Sequence, residues 1–156
     1  MKMNIFEELE ALYSEIDDFY ARCELDARNN ENENKEIAFA RKRELNDHAY
    51  YLFMFTRLED HVGEKSSELI KDSQDNITDW EQRRPWDILP KQKESDKIFF
   101  LNRVALLVDK GTHYYQNIKN YYDLRNTLGH GGVFSAPISI PNVVSDFNSF
   151  HRMLNT

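Results

Sequence analysis

The stretch "YYDLRNTLGHGG", residues 121–132, decides how this chain is read. Its apolar positions keep helical three- and four-residue steps as far as Leu128, and the glycines at 129, 131 and 132 then stop the helix. Asn126 and His130 stand four residues apart and share a face. Arg125 lies about 100° round from Asn126 but has a long side chain, so all three reach one pocket. An arginine offers a planar fork to phosphate, a histidine gives or takes a proton near neutral pH, and an amide orients either. Those are the parts for RNA cleavage without a metal. In that chemistry a ribose 2′-OH attacks the adjacent phosphodiester, the imidazole moves the proton, and the guanidinium stabilises the charge building on phosphorus.

Working outward, Thr112 caps "HYYQNIKNYYDLRNTLGH", whose Tyr114, Ile118, Tyr121 and Leu128 line one face. Before it, Ser95 caps "DKIFFLNRVALLVDKG", apolar around much of its circumference, closed by Gly111 and expected to be the most buried element. Residues 3–29 carry Ile5, Leu9, Leu12, Ile16, Phe19 and Cys23 at helical steps and end near "NNENEN". A longer pattern runs from Lys35 to about Ser73, with Leu45, Ala49, Leu52 and Phe55 on one stripe and Tyr51, Met54, Leu58 and Val62 beside it. That apolar face is wider than one neighbour requires, which suggests a second partner such as another protomer. The pattern breaks at residues 73–95, where two prolines and both tryptophans mark an inserted loop or short irregular helix. "VFSAPISIP" has no helical period and reads as extended. Asn142 or Ser145 then starts a short helix holding Val144, Phe147, Phe150 and Leu154. The expected fold is all-α, an up-down bundle of four main helices plus a short C-terminal helix, with an irregular insert between helices 2 and 3. One domain spans residues 1–156, its last part, about 131–156, being the extended segment and short helix.

At 156 residues and 18.6 kDa, the chain is long enough to bury roughly two-thirds of its unfolded surface. The lone Cys23 excludes a disulfide framework, and no Cys/His cluster has zinc spacing. A cytoplasmic setting fits. The N-terminal apolar run is laced with acids, unlike a signal peptide, and no window is apolar enough to span a membrane. Residues 1–34 hold three cations and ten acids, so the whole formal charge of −7 sits there, while the remaining 122 residues are balanced. A neutral body leaves room for a local basic pocket.

Spacing alone is weak evidence. With 10 arginines and 5 histidines, an Arg-x4-His pair arises by chance roughly 0.3 times. A second such pair, Arg43 and His48 in "RELNDH", lies mid-helix without the asparagine or the glycines and reads as solvated surface. The combination in "LRNTLGHGG" is more specific, and it resembles the signature of the HEPN superfamily (higher eukaryotes and prokaryotes nucleotide-binding domains). That signature is an arginine, often followed by a polar residue, with four to six residues before a histidine. The likeness covers Leu124–Gly131 and the order of the helices.

The resemblance implies a helical bundle that dimerises, so that two motifs face each other and build a composite, metal-independent RNase site. Arg125, Asn126 and His130 would be its catalytic residues, with no cofactor and no metal. Many members are toxins or antiviral defence effectors, some paired with a nucleotidyltransferase antitoxin; others are non-catalytic modules that bind a protein partner or nucleotide.

Each reading has a structural counterpart. Arg and His near a helix C-terminus suit the macrodipole without any catalysis. Arg83, Arg84 and Trp86 of the insert could offer cations and a stacking surface to single-stranded RNA, or Trp86 could be a peg on its own bundle. Tyr121 and Tyr122, beside the motif, are candidates for RNA contact, against packing. His48, His61, His113 and His151 are scattered and form no metal set. Serine or cysteine nucleophile catalysis has no supporting motif.

Overall fold

The computed structural model describes residues 4–91, 97–131 and 137–155. Among them every regular element is an α-helix: α1 (Ile5–Asn29), α2 (Glu33–Asn76), α3 (Trp80–Asp87), α4 (Phe100–Leu107), α5 (His113–Gly129) and α6 (Ile140–Leu154). The all-α expectation holds. Contacts divide the chain into two compact units, residues 1–55 with 124–149 and residues 56–123 with 150–156. Helices α2, α5 and α6 contribute residues to both.

Helix α1 starts on a capping box: Asn4 accepts from the Glu7 N–H, and the Glu7 carboxylate accepts from the Asn4 N–H. A turn at Asn30–Asn32, with Glu31 at φ 54°, reverses the chain into α2. The two helices pair along an unusually polar seam. Tyr13 Oη donates to Asp47 at 2.6 Å, and Arg43 grips both Asp17 oxygens at 2.9 and 3.1 Å and Glu24 at 3.1 Å. Arg43, read from sequence as solvated surface, is therefore spent on holding α1 to α2. Burial and the Asp47 carboxylate push the Tyr13 hydroxyl up, and burial raises the Asp47 carboxyl.

The inward stripe of α1 is Phe6, Leu9 and Ala27, with Tyr13, Ile16, Tyr20 and Cys23 half-buried between them. This corrects the expected stripe. Ile5, Leu12 and Phe19 face outward, one position off the seam.

The core of the first unit is aromatic. Phe147 of α6 is fully buried, with its ring 5.8 Å from Phe6, 6.3 Å from Phe55 and 6.4 Å from Tyr51. Truncating such a ring costs about 3–5 kcal/mol, so one residue ties α1, α2 and α6 together. Helix α6 begins earlier than expected, because Ser139 accepts from the Asn142 N–H at 3.4 Å and its carbonyl accepts from Val143 at 3.0 Å. Of the expected extended segment, residues 133–136 lie outside the described residues.

In the second unit Leu58, Val62, Ile70, Val104, Ile118 and Phe150 are buried. Arg103, only 4% exposed, donates to Ser66 Oγ at 2.9 Å and Ser67 Oγ at 3.3 Å, and Ser66 donates to the Gly63 carbonyl. The insert does hold a short helix, α3. Asp79 caps it, and Gln74 pins its far end by donating to the Trp86 and Leu89 carbonyls at 2.7 and 3.0 Å.

The expected third helix is much shorter than the sequence suggests: α4 has eight residues. Val108 is extended, and the Asp109 carboxylate takes the Gly111 N–H at 2.7 Å, so Gly111 serves a turn rather than a helix stop. Ser95, the expected cap, lies outside the described residues. The most deeply buried side chains cluster on α2 instead, because two turns of helix cover little area.

His61 of α2 and His151 of α6 stack with ring centroids 4.0 Å apart and planes 18° from parallel. His61 Nε2 is buried without a partner among the described residues, and His151 Nδ1 lies 3.1 Å from Asn155 Nδ2. Burial lowers both pKa values; the neighbouring imidazole and Lys65 lower His61 further, against Glu64 and Glu68, and Lys65 also lowers His151. Both rings thus bind a proton less readily in the fold than in the unfolded chain, which takes up their protons as pH falls through about 6.5. Unfolding free energy should therefore decline with acidity between about pH 6.5 and 5, before the carboxylates titrate. Urea titrations across that window should show the decline in the wild type and its loss in a His61→Gln/His151→Gln variant, whatever the variant's absolute stability.

Candidate functional site

The motif is assembled by the last turn of α5. Asn126 sits at its centre: its side-chain Oδ1 accepts from Arg125 Nη1 at 3.3 Å, and its backbone carbonyl accepts the His130 N–H at 3.1 Å. That backbone bond carries the helical pattern one residue past Gly129 and fixes where the imidazole leaves the helix. Gly131 then turns left-handed, φ 76°, with its N–H donated to the Leu128 carbonyl at 3.0 Å. This is the five-to-two bond of a Schellman-type stop, which occupies a carbonyl that would otherwise be orphaned.

Arg125 and Asn126 are half-buried and His130 is exposed. Arg125 is thus set against the Asn126 amide, while His130, tied to Asn126 by a helical backbone bond alone among the contacts described, leaves its side chain exposed at the helix end. A guanidinium and a solvent-facing imidazole five residues apart put a fixed positive charge and a group able to carry a proton on the last turns of one helix. Neither Gly129 nor Gly131 has anything within 4 Å of where a Cβ would stand. Their roles differ for backbone reasons, Gly129 being helical and Gly131 left-handed.

The other candidates divide. Tyr122 stacks on Phe100, with centroids 5.2 Å apart and planes 25° from parallel, and Tyr121 meets Phe150 edge-on at 6.2 Å. Both rings have packing roles. In the insert, Arg83 lies 5.3 Å over the Trp80 ring and 3.4 Å from the Asp87 carboxylate. Trp86 is half-buried, its carbonyl held by Gln74, while Arg84 and Trp80 are exposed. The exposed stacking surface beside a cation is therefore Trp80, a residue that the sequence reading passed over. Its position four residues after Asn76 and directly after the Asp79 cap was the available signal.

Among the described residues no group of three or more His, Cys, Asp or Glu side chains is placed to hold a metal ion, and no helix is long and apolar enough to cross a membrane. No family model, curated protein or solved structure matches the chain.

The left-handed stop makes a local prediction. Gly131→Ala should lower stability by about 1–2 kcal/mol, because an L side chain is strained at that φ. Gly129→Ala should be neutral or slightly stabilising, since alanine is the better helix former. Thermal and urea unfolding of the two variants check the contrast.

Proposed function

We propose that this protein is a metal-independent endoribonuclease of HEPN type, acting in the cytoplasm as a homodimer in a toxin or antiviral defence role. The observation that carries the reading is the Arg125–Asn126 side-chain bond a turn before an exposed His130 at the end of α5. His130 acts as general acid/base, Arg125 clamps the phosphate and stabilises the charge that develops on it, and Asn126 positions both.

In the reaction the ribose 2′-oxygen loses its proton to an imidazole and bonds to phosphorus. The bond from phosphorus to the 5′-oxygen breaks, and that oxygen takes a proton. The products are a 2′,3′-cyclic phosphate and a 5′-hydroxyl. One imidazole serves one proton at a time, so a second copy of the motif across a two-fold axis would supply the second transfer. RNA is the substrate, and an antitoxin or nucleotidyltransferase is the partner that the HEPN resemblance implies.

A second reading is favoured by the exposed apolar residues of α1: a non-catalytic helical module that binds a protein or nucleotide. Incubating a mixed RNA substrate with purified protein in excess EDTA separates the two. Cleavage by the wild type should fall at least about 100-fold in both His130→Ala and Arg125→Ala. If the folded wild type leaves RNA intact, or if the variants cut as well as it does, the catalytic reading is wrong.

A further inference from the structure

Two imidazoles pack face to face inside the second unit. His61 of α2 and His151 of α6 are both half-buried, with ring centroids 4.0 Å apart and planes 18° from parallel. The stack closes the last turns of α6 over α2. Beside it Phe150 is buried and meets Tyr114 and Tyr121 of α5 edge-on, at 6.5 and 6.2 Å, and Leu154 is buried one turn further on. Parallel rings send their in-plane lone pairs side by side rather than toward one point, so the pair is not shaped as a metal clamp.

The surroundings suit the pair only while it is neutral. A charged imidazole carries an N–H on both nitrogens, and His61 Nε2 is buried with no partner among the described residues. His151 Nδ1 lies 3.1 Å from Asn155 Nδ2; a neutral Nδ1 accepts from that amide, whereas a charged ring forces the amide to turn over. Lys65 opposes positive charge on either ring, while Glu64 and Glu68 favour it on His61. Glu68 is already paired with Lys65 at 3.2 Å. On α6 the neighbouring charge is another cation, Arg152. The residues of α5 that pack on this end of α6, Tyr114 and Tyr121, are uncharged at neutral pH.

We infer that the His61–His151 stack is a proton-operated latch, which holds the end of α6 against α2 while both rings are neutral and releases residues 150–155 when they are charged. Two imidazolium rings this close repel in surroundings that screen them poorly, and they take up protons as a coupled pair. A helix end of one or two turns, freed of its packing, loses its hydrogen bonds. Release exposes Phe150 and Leu154 and uncovers the ring edges of Tyr114 and Tyr121, so acidification creates an apolar surface. Both rings bind protons less readily closed than open, so the latch is shut above about pH 6.5 and opens increasingly as pH falls below it. It lies outside the Arg125–His130 motif and does not depend on RNA cleavage.

The test is native-state hydrogen exchange of the full chain at about pH 7 and about pH 5.5, read by peptide mass spectrometry and corrected for the intrinsic pH dependence of exchange. The amides of residues 151–155 should be less protected than those of 51–58, and low urea should leave their exchange unchanged while it speeds that of 51–58, the mark of a local opening. Their protection should fall about tenfold between the two pH values in the wild type. The fall should vanish in His61→Gln/His151→Gln. If that variant does not fold, His61→Phe, which keeps a ring in the stack and removes one proton, should reduce the fall to about threefold. Exchange of 151–155 that tracks 51–58 in protection and urea response, a wild-type response flat with pH, or a fall that persists undiminished in the variants would each overturn the inference.

Discussion

The structure depends on covering one side of α2. A helix of 44 residues gains little from backbone propensity alone and persists because packing holds it. Its residues Tyr51, Met54, Phe55, Leu58, Val62, Ser66 and Ile70 are all completely buried, one helical stripe in which Met54 and Phe55 stand side by side. Each unit answers that demand differently. The first uses aromatic rings, with Phe147 set against Phe6, Tyr51 and Phe55. The second pairs aliphatic burial with Arg103, whose guanidinium meets the serines at 66 and 67.

Helix α5 is built by another logic. Its C-terminal end is organised by hydrogen bonds within seven residues: Arg125 to the Asn126 amide, His130 to the Asn126 carbonyl, Gly131 to the Leu128 carbonyl. Local bonds of this kind set the imidazole's exit without waiting for distant packing. Asn126 is consequently the residue on which the motif's geometry turns, although it carries no charge and moves no proton.

How much was legible follows from the same distinction. The end of α5 was readable because glycine spacing and i,i+4 geometry are local properties of sequence. The inward stripe of α1 was misread by one position because apolar residues stand side by side at 5/6, 12/13 and 19/20. Choosing Ile5, Leu12 and Phe19, the member without a polar group wherever the pair holds a tyrosine, ignored the Asp47 carboxylate, which makes Tyr13 a good seam residue once its hydroxyl has a partner. Arg43 was misjudged for the same reason: its acids, Asp17 and Glu24, lie on another helix. The length of α4 failed on a local rule overlooked, the Asp109–Gly111 turn. Of the wide apolar face expected of α2, Tyr51, Met54, Phe55, Leu58 and Val62 are buried, while Leu45 and Ala49 are exposed.

The central claim is that the α5 terminus drives attack by a ribose hydroxyl. The most direct measurement compares two oligonucleotides of one sequence, all-ribose and with 2′-deoxy sugars throughout, incubated with purified protein in EDTA and resolved with end-group analysis. The account predicts that only the ribose strand is cut, leaving 2′,3′-cyclic phosphate ends. Equal cutting of both strands, or cutting that appears only when a divalent metal is restored, would contradict it.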